Sequence, residues 1–239
     1  MESFEAFFSL RELGDYLDVA CGEGEFTERL LEGAKGYRSA LGLDIDEEGL
    51  ATARGLFEGH FGNVFFDVED AHHLSVADDS FDTVSISNAL HHVVDPHQVL
   101  HELRRVLRPG GILVVNEMIS DVTTVDQENA RDLHHFKARI DRSQGLEHRD
   151  TYTEGQLREL LGLETPGQSR VLLDLTEYPE ADDPELRERR IEFLESYPEI
   201  IEGSDIYPSI RKEALRLKYR IASGGFSPQP QKVYVLSRG

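Results

Sequence analysis

The stretch that most constrains this chain runs from Tyr16 to Leu30: Tyr-Leu-Asp-Val-Ala-Cys-Gly-Glu-Gly-Glu-Phe-Thr-Glu-Arg-Leu. Tyr16 to Ala20 reads as a short buried strand, Gly22 and Gly24 make a turn, and a helix opens at about Glu25. A strand, a glycine loop and a helix in that order suit a nucleotide cofactor. The glycines admit backbone conformations and a close ligand approach that a Cβ would block, and the first turn of the helix offers free N–H groups. The same residues can also make an ordinary strand-to-helix turn, so the rest of the chain has to decide.

The loop narrows the ligand. A dinucleotide loop wants a third glycine, but here the position three after Gly24 is Thr27, and Glu23 and Glu25 flank Gly24, where carboxylates repel a pyrophosphate. A cationic nucleoside without phosphate fits better. S-adenosylmethionine carries a sulfonium, an ammonium and a carboxylate, and Asp18 at the strand's end is positioned to hold the positive end. The stretch resembles motif I of the class I S-adenosylmethionine-dependent methyltransferases, Asp-x-Gly-x-Gly-x-Gly, and departs from it at Ala20, a small-for-small change at the first glycine.

Three further blocks follow. Tyr37 to Asp44 reads as a second strand ending in an acid 26 residues after Asp18. A carboxylate there can accept both hydroxyls of a ribose, which makes Asp44, with Ile45 beside it, an expected cofactor contact. Asp46, ahead of Glu47 and Glu48, reads as a helix cap. Asn63 to Phe66 is a third strand, and Asp67 to Asp82 resembles the family's adenine block. The resemblance implies that Asp70 and Ala71 meet the base and that Leu74 lies beside the ring. His72 and His73, in the same polar loop, read as solvent-exposed. Phe81 begins a fourth strand that runs into a loop with Asn88, His91 and His92, and open parallel sheets bind ligands beyond such strand ends. Asn88 is therefore both a cofactor contact and, with His91, a candidate for acceptor chemistry. Asp95-Pro96 starts a helix through Leu107, Arg108-Pro109-Gly110-Gly111 ends it, and Ile112 to Glu117 forms a fifth strand. The run Leu-Arg-Arg-Val-Leu-Arg-Pro-Gly-Gly-Ile-Leu-Val-Val is similar to the ubiquinone and menaquinone biosynthesis branch of these methyltransferases.

The resemblance implies an α/β fold: a Rossmann-like three-layer sandwich on a seven-stranded, mostly parallel sheet whose last strand is antiparallel. Val171 to Tyr178 and Lys232 to Ser237 read as the last two strands, and Thr153 to Leu161 as a helix. We expect residues 1–239 to form a single methyltransferase domain, with helical inserts at 121–150 and 180–224 building the acceptor pocket or a lid. Within the inserts, Glu128 to Asp141, Pro184 to Glu195 and Pro208 to Ala222 carry helical patterns. At the start of the chain, Phe4, Phe7, Phe8, Leu10 and Leu13 read as a short amphipathic helix that joins the core or covers the pocket.

Methyl transfer from a sulfonium is an in-line displacement, in which a protein supplies alignment, a dry pocket and, where the acceptor must lose a proton, a base. Base candidates are His91, His92, Glu117, His134 and His135, with His91 favoured. Ten histidines invite a metal, but adjacent histidines on a helix point apart and Cys21 is the sole cysteine, so no metal is expected. Cys21 itself reads as a small packing residue. The net charge of −21, with 20 Arg and 5 Lys, argues against nucleic acid and anionic membrane as partners and points to a salt-adapted protein; with no apolar run of membrane length and no basic signal-peptide start, a cytoplasmic location is expected. A small-molecule acceptor, neutral or cationic, and a monomer or homodimer are the expected partners and state. Two other readings stay open: a non-catalytic S-adenosylmethionine-binding protein, and an NAD-linked oxidoreductase.

Overall fold

The computed structural model describes residues 3–163, 170–175 and 183–239. Its strands are β1 (Asp15–Val19), β2 (Ser39–Asp44), β3 (Val64–Val68), β4 (Phe81–Ser87), β5 (Leu107–Met118), β6 (Arg170–Asp174) and β7 (Gln231–Ser237), in one seven-stranded sheet of order β3-β2-β1-β4-β5-β7-β6. β1 pairs in parallel with both β2 and β4, and β6 pairs antiparallel with β7. The central β1 is buried from Tyr16 to Val19, which is why Tyr16, Leu17 and Val19 are apolar on both faces, with Asp18 alone interrupting the run. The expected strand to Tyr178 is seen as β6; residues 176–178 lie outside the described residues.

The helices of the N-terminal half are α1 (Phe4–Phe8), α2 (Glu25–Gly33), α3 (Glu47–Phe57) and α4 (Pro96–Val106). α4 starts as its sequence dictates: Asp95 Oδ1 accepts from the N–H groups of His97 and Gln98, and Pro96 stands in the first turn, where its missing N–H costs nothing. α1 is only five residues long; Phe4, Phe7 and Phe8 are buried with Phe26, Leu30 and Leu31, whereas Leu10 is exposed. The phenylalanines thus belong to the core.

One boundary differs from expectation. Arg108-Pro109-Gly110-Gly111 does not separate α4 from the strand; it lies within β5, as a bulge between the pairs Phe81↔Leu107 and Thr83↔Ile112. Gly110 has a φ of 80°, and a Cβ on Gly111 would lie 2.7 Å from the Asp82 carbonyl oxygen, so the two glycines let β5 fold closely against β4. Arg108 uses the bulge to reach Asp15 and Asp82, which also bind Arg38; this pins β1, β2 and β4 at the edge away from the glycine loop.

The described residues cluster as two compact units, one of Met1–Glu117, Arg158–Leu175 and Lys232–Gly239, the other of Met118–Leu157 and Thr176–Gln231. The first holds the sheet. The second takes in the expected inserts, with α5 (Val125–Ser143), α7 (Pro184–Ser196) and α8 (Tyr207–Gly224), while α6 (Glu154–Leu160) falls at the boundary between the two. Leu133, Phe136 and Ile140 of α5 pack with Leu194 of α7 and with Ile210, Leu217 and Ile221 of α8. Asn129 Nδ2 of α5 donates to the carbonyls of Arg220 and Gly225 at 3.2 and 2.8 Å, closing the end of α8.

Candidate functional site

In the first unit a cleft of about 960 Å³ lies at the C-terminal ends of β1, β2 and β4. Asp18, Ala20, Gly22, Asp44, Ile45, Asp70, Ala71 and Asn88 all line it, so the sequence-derived cofactor residues converge on one place; Gly24 caps α2 just behind. Gly22, Gly24, Ala20 and Asn88 have φ of 53°, 87°, 55° and 49°. Ala20 therefore keeps the left-handed backbone of the glycine it replaces, at a steric cost that a glycine would not carry.

Each acid has a distinct setting. Asp44 holds the loop: its Oδ2 accepts from Gly22 N at 2.7 Å and its Oδ1 from Asp46 N at 2.9 Å, so the loop and the tip of β2 are one hydrogen-bonded body. Asp46 caps α3 by accepting from Glu48 N at 3.1 Å, as expected, and lines the cleft as well. Asp18 is the most buried of the acids that line the cleft. It is fully buried under the loop, with Oδ2 accepting from the Thr27 hydroxyl at 2.6 Å and Oδ1 from the Ser85 hydroxyl at 2.5 Å, and Tyr16 is hydrogen-bonded to Ser85 behind it. Burial pushes its pKa up to about 6 despite the two hydroxyls. Thr27, at the place of the missing third glycine, thus serves the carboxylate.

Asp70 Oδ1 accepts from His72 N at 2.9 Å and from His72 Nδ1 at 2.6 Å, and these bonds hold its carboxyl below the usual range. His72 Nε2 accepts from the N–H of Asp95 at 3.1 Å, which fixes the proton on Nδ1. His72 is therefore a partly buried clasp between the adenine-block loop and the start of α4, not the solvent-exposed residue expected; His73 is exposed. Leu74 is buried, donates its N–H to Glu102 at 3.0 Å, and does not line the cleft.

His91 also departs from expectation. It is buried with Nδ1 3.0 Å from Glu117 Oε2, while Glu117 Oε1 accepts from Leu90 N, so these two base candidates hold one another and the loop. Neither lines the cleft; His92 does. Cys21 is packed against Gly42, where a Cβ would come 2.9 Å from its sulfur, and burial raises its pKa, which makes it the packing residue expected.

The second unit has a separate pocket of about 720 Å³, lined by Met118, Ala130, Leu133, His134, Lys137, Leu186, Arg190, Phe193, Phe226, Pro228, Gln229 and Gln231. Behind His134, the His148 ring lies Nε2 to Nε2 at 3.0 Å, and His148 Nδ1 is 2.6 Å from Asp141 Oδ2. His135 turns away: its Nε2 accepts from Thr151 N at 3.2 Å, and burial lowers its pKa. His148, Arg190 and the two phenylalanines carried no signal in the sequence, because nothing local links them.

Comparison with known proteins fits this geometry. Residues 17–115 match the methyltransferase domain model. Methyltransferase GfsG of Streptomyces halstedii is 31% identical over 228 residues, covering 92% of this chain and 71% of that protein. The chain belongs to the methyltransferase family. As a methyltransferase it also resembles the ubiquinone/menaquinone biosynthesis C-methyltransferase UbiE of Hahella chejuensis, 38% identical over 126 residues; that match covers 51% of this chain and 49% of the relative, so the chain spans about half of UbiE's length. A solved Haemonchus contortus phosphoethanolamine N-methyltransferase, bound to S-adenosylhomocysteine, shares the fold at a TM-score of 0.57 and 18% identity over 97% of this chain and 50% of that one. Among the described residues no helix is long and apolar enough to cross a membrane.

Proposed function

We propose that the chain transfers a methyl group from S-adenosylmethionine to a small molecule in the cytoplasm. One observation carries the cofactor assignment. Seven acidic residues line the cleft, Asp18, Glu23, Glu25, Asp44, Asp46, Glu69 and Asp70, and among the described residues no Lys or Arg does. Such a field repels the pyrophosphate of NAD and attracts a sulfonium and an ammonium, which counts against the oxidoreductase reading.

The residues fit the cofactor part by part. Asp44 offers its remaining lone pairs to ribose hydroxyls while its backbone bonds keep it in place. Asp70 and Ala71 face the adenine, with the exposed side chains of Ile45 and Val94 offering apolar surface at the rim. A Cβ at Gly22 would meet nothing within 4 Å, so that glycine serves its backbone conformation and leaves room for a ligand. Asp18 acts through its charge beneath the loop. S-adenosylmethionine, when bound, supplies an electrophilic methyl group and leaves as S-adenosylhomocysteine. The acceptor is held by the second unit, whose pocket has no carboxylate lining it among the described residues, which turns the expectation of a neutral or cationic acceptor toward a neutral or anionic one.

Calorimetric titration with S-adenosylmethionine, S-adenosylhomocysteine and NAD tests this. Binding of both adenosyl ligands and not of NAD is the expected result; NAD binding without response to the other two overturns it.

A further inference from the structure

The pocket of the second unit is chemically unlike the chain that builds it. The protein has 46 acidic and 25 basic residues, yet among the described residues no acid lines this pocket, whereas Lys137, Arg190 and His134 do, among Leu133, Phe193 and Phe226. Lys137 is paired with Asp141 at 2.5 Å and lies over the Tyr197 ring. Arg190 has no carboxylate partner among the described residues; its guanidinium sits 5.4 Å from the centre of the Phe226 ring. Loss of hydration lowers its pKa, with Arg189 adding to the effect. A guanidinium set on an aromatic face in an apolar pocket is a binding site for an anionic oxygen.

The second observation concerns the proton. Asp141 can only accept, so His148 donates from Nδ1 and meets His134 with Nε2. Burial raises the pKa of Asp141, but Lys137, Tyr197 and His148 bonded to it hold it below the usual range, so the chain ends in a fixed negative charge. Arg142 donates to the His148 carbonyl and to Asp150, and His135 flanks His134 edge-on. A proton taken up by His134 is thereby shared toward Asp141.

We propose that this pocket takes an apolar molecule bearing an ionisable oxygen and binds it as the anion. The O–H bond breaks with its electron pair left on oxygen, the proton goes to the His134 imidazole, and Arg190 neutralises the oxygen. His134 is then a catalytic residue; His148 and Asp141 are positioning residues. Only the identification of that molecule with the methyl acceptor rests on the methyltransferase reading.

The test uses the full chain and four probes: 4-methylumbelliferone, a phenol whose absorption changes on ionisation; its 7-methoxy ether; decanoate; and methyl decanoate. The expected result is a preference of about tenfold or more for the ionisable member of at least one pair, equivalent to about one pKa unit. The pair that shows it separates phenol from carboxylic acid. Arg190→Met should abolish the preference and Arg190→Lys restore part of it. Bound 4-methylumbelliferone should titrate at lower pH than free dye, and His134→Phe should return that titration upward by about one unit, with His148→Asn giving a smaller return. Equal binding of acid and ester or ether, no binding of any probe, or a preference that survives Arg190→Met overturns the proposal; unchanged helix content by circular dichroism certifies each variant. S-adenosylhomocysteine titration of the same samples keeps the two readings apart: its failure with the dye behaving as expected refutes S-adenosylmethionine-dependent transfer and leaves the pocket assignment standing.

Discussion

Asp18 offers the sharpest test of how site and stability are linked. Its pKa is raised from an ordinary 3.8 to about 6 in the folded protein, chiefly by burial, so its stabilising contribution is full below the unfolded value and is lost as pH rises through about 6. Two pKa units at about 1.4 kcal/mol each put the cost of keeping it ionised at pH 8 near 3 kcal/mol. The group is fully buried, so solvent screening does not reduce this figure. Asp18→Asn removes the charge and keeps the shape. The hydrogen-bond chain can adapt, because Ser85 can turn to accept from the amide and donate to Tyr16, whose present bond to Ser85 is 2.7 Å long. Urea unfolding of both proteins without ligand should therefore show the variant gaining on the wild type by about 2 to 3 kcal/mol between pH 4 and pH 8. Over the same range it should bind S-adenosylmethionine more weakly. A stability gap that does not change with pH would refute the reasoning, since every other titrating group is common to both proteins.

Other outcomes follow from the loop and the charge. Ala20→Gly relieves a φ of 55° worth about 1 to 2 kcal/mol but loosens the unfolded chain by about 0.4 to 1 kcal/mol, so urea titration should show it equal to or up to about 1.6 kcal/mol more stable than wild type. Gly24→Ala should lose about 2 to 4 kcal/mol in the same assay: its φ is 87° and its Cβ would lie 2.9 Å from Phe57 Cε2 and 3.2 Å from the Ala53 Cβ. With a net charge of −21, the melting temperature should rise from low to molar potassium chloride; a flat or falling series would sink salt adaptation.

What could be read from sequence was what is local. The glycine spacing, the acid at the tip of β2 and the Asp-Pro start of α4 each carry their conformation within a few residues, and each is where it was expected. Asp18 was legible as an acid in the right loop, but not as a buried one, because its partners Thr27 and Ser85 lie 9 and 67 residues away. His91 and His92 were indistinguishable: neighbours on a turn face opposite ways, and which one faces the cleft is set by Glu117 on another strand. His72 looked like a loop residue until Asp95 was brought against it. In the second unit a pocket was expected from the inserts, but its lining was invisible, since the Asp141–His148–His134 chain joins a helix to a following loop and Arg190 arrives on a different helix.

The raised pKa of Asp18 also sets how ligand binding must respond to pH. The free cleft holds an acid titrating near 6, with Asp44 contributing to the rise. A cation bound above it opposes both the burial and the like charge, so the pKa in the complex must be lower than in the free protein. By linkage, binding then expels whatever proton Asp18 still carries, and affinity for S-adenosylmethionine must fall as pH drops below about 6. Calorimetry at pH 5.5 in two buffers of different ionisation enthalpy would register that proton as a buffer-dependent heat, absent at pH 8 and absent in Asp18→Asn. Equal heats in both buffers at pH 5.5 would mean that the cation does not sense Asp18. Its buried charge would then belong to the loop's architecture alone.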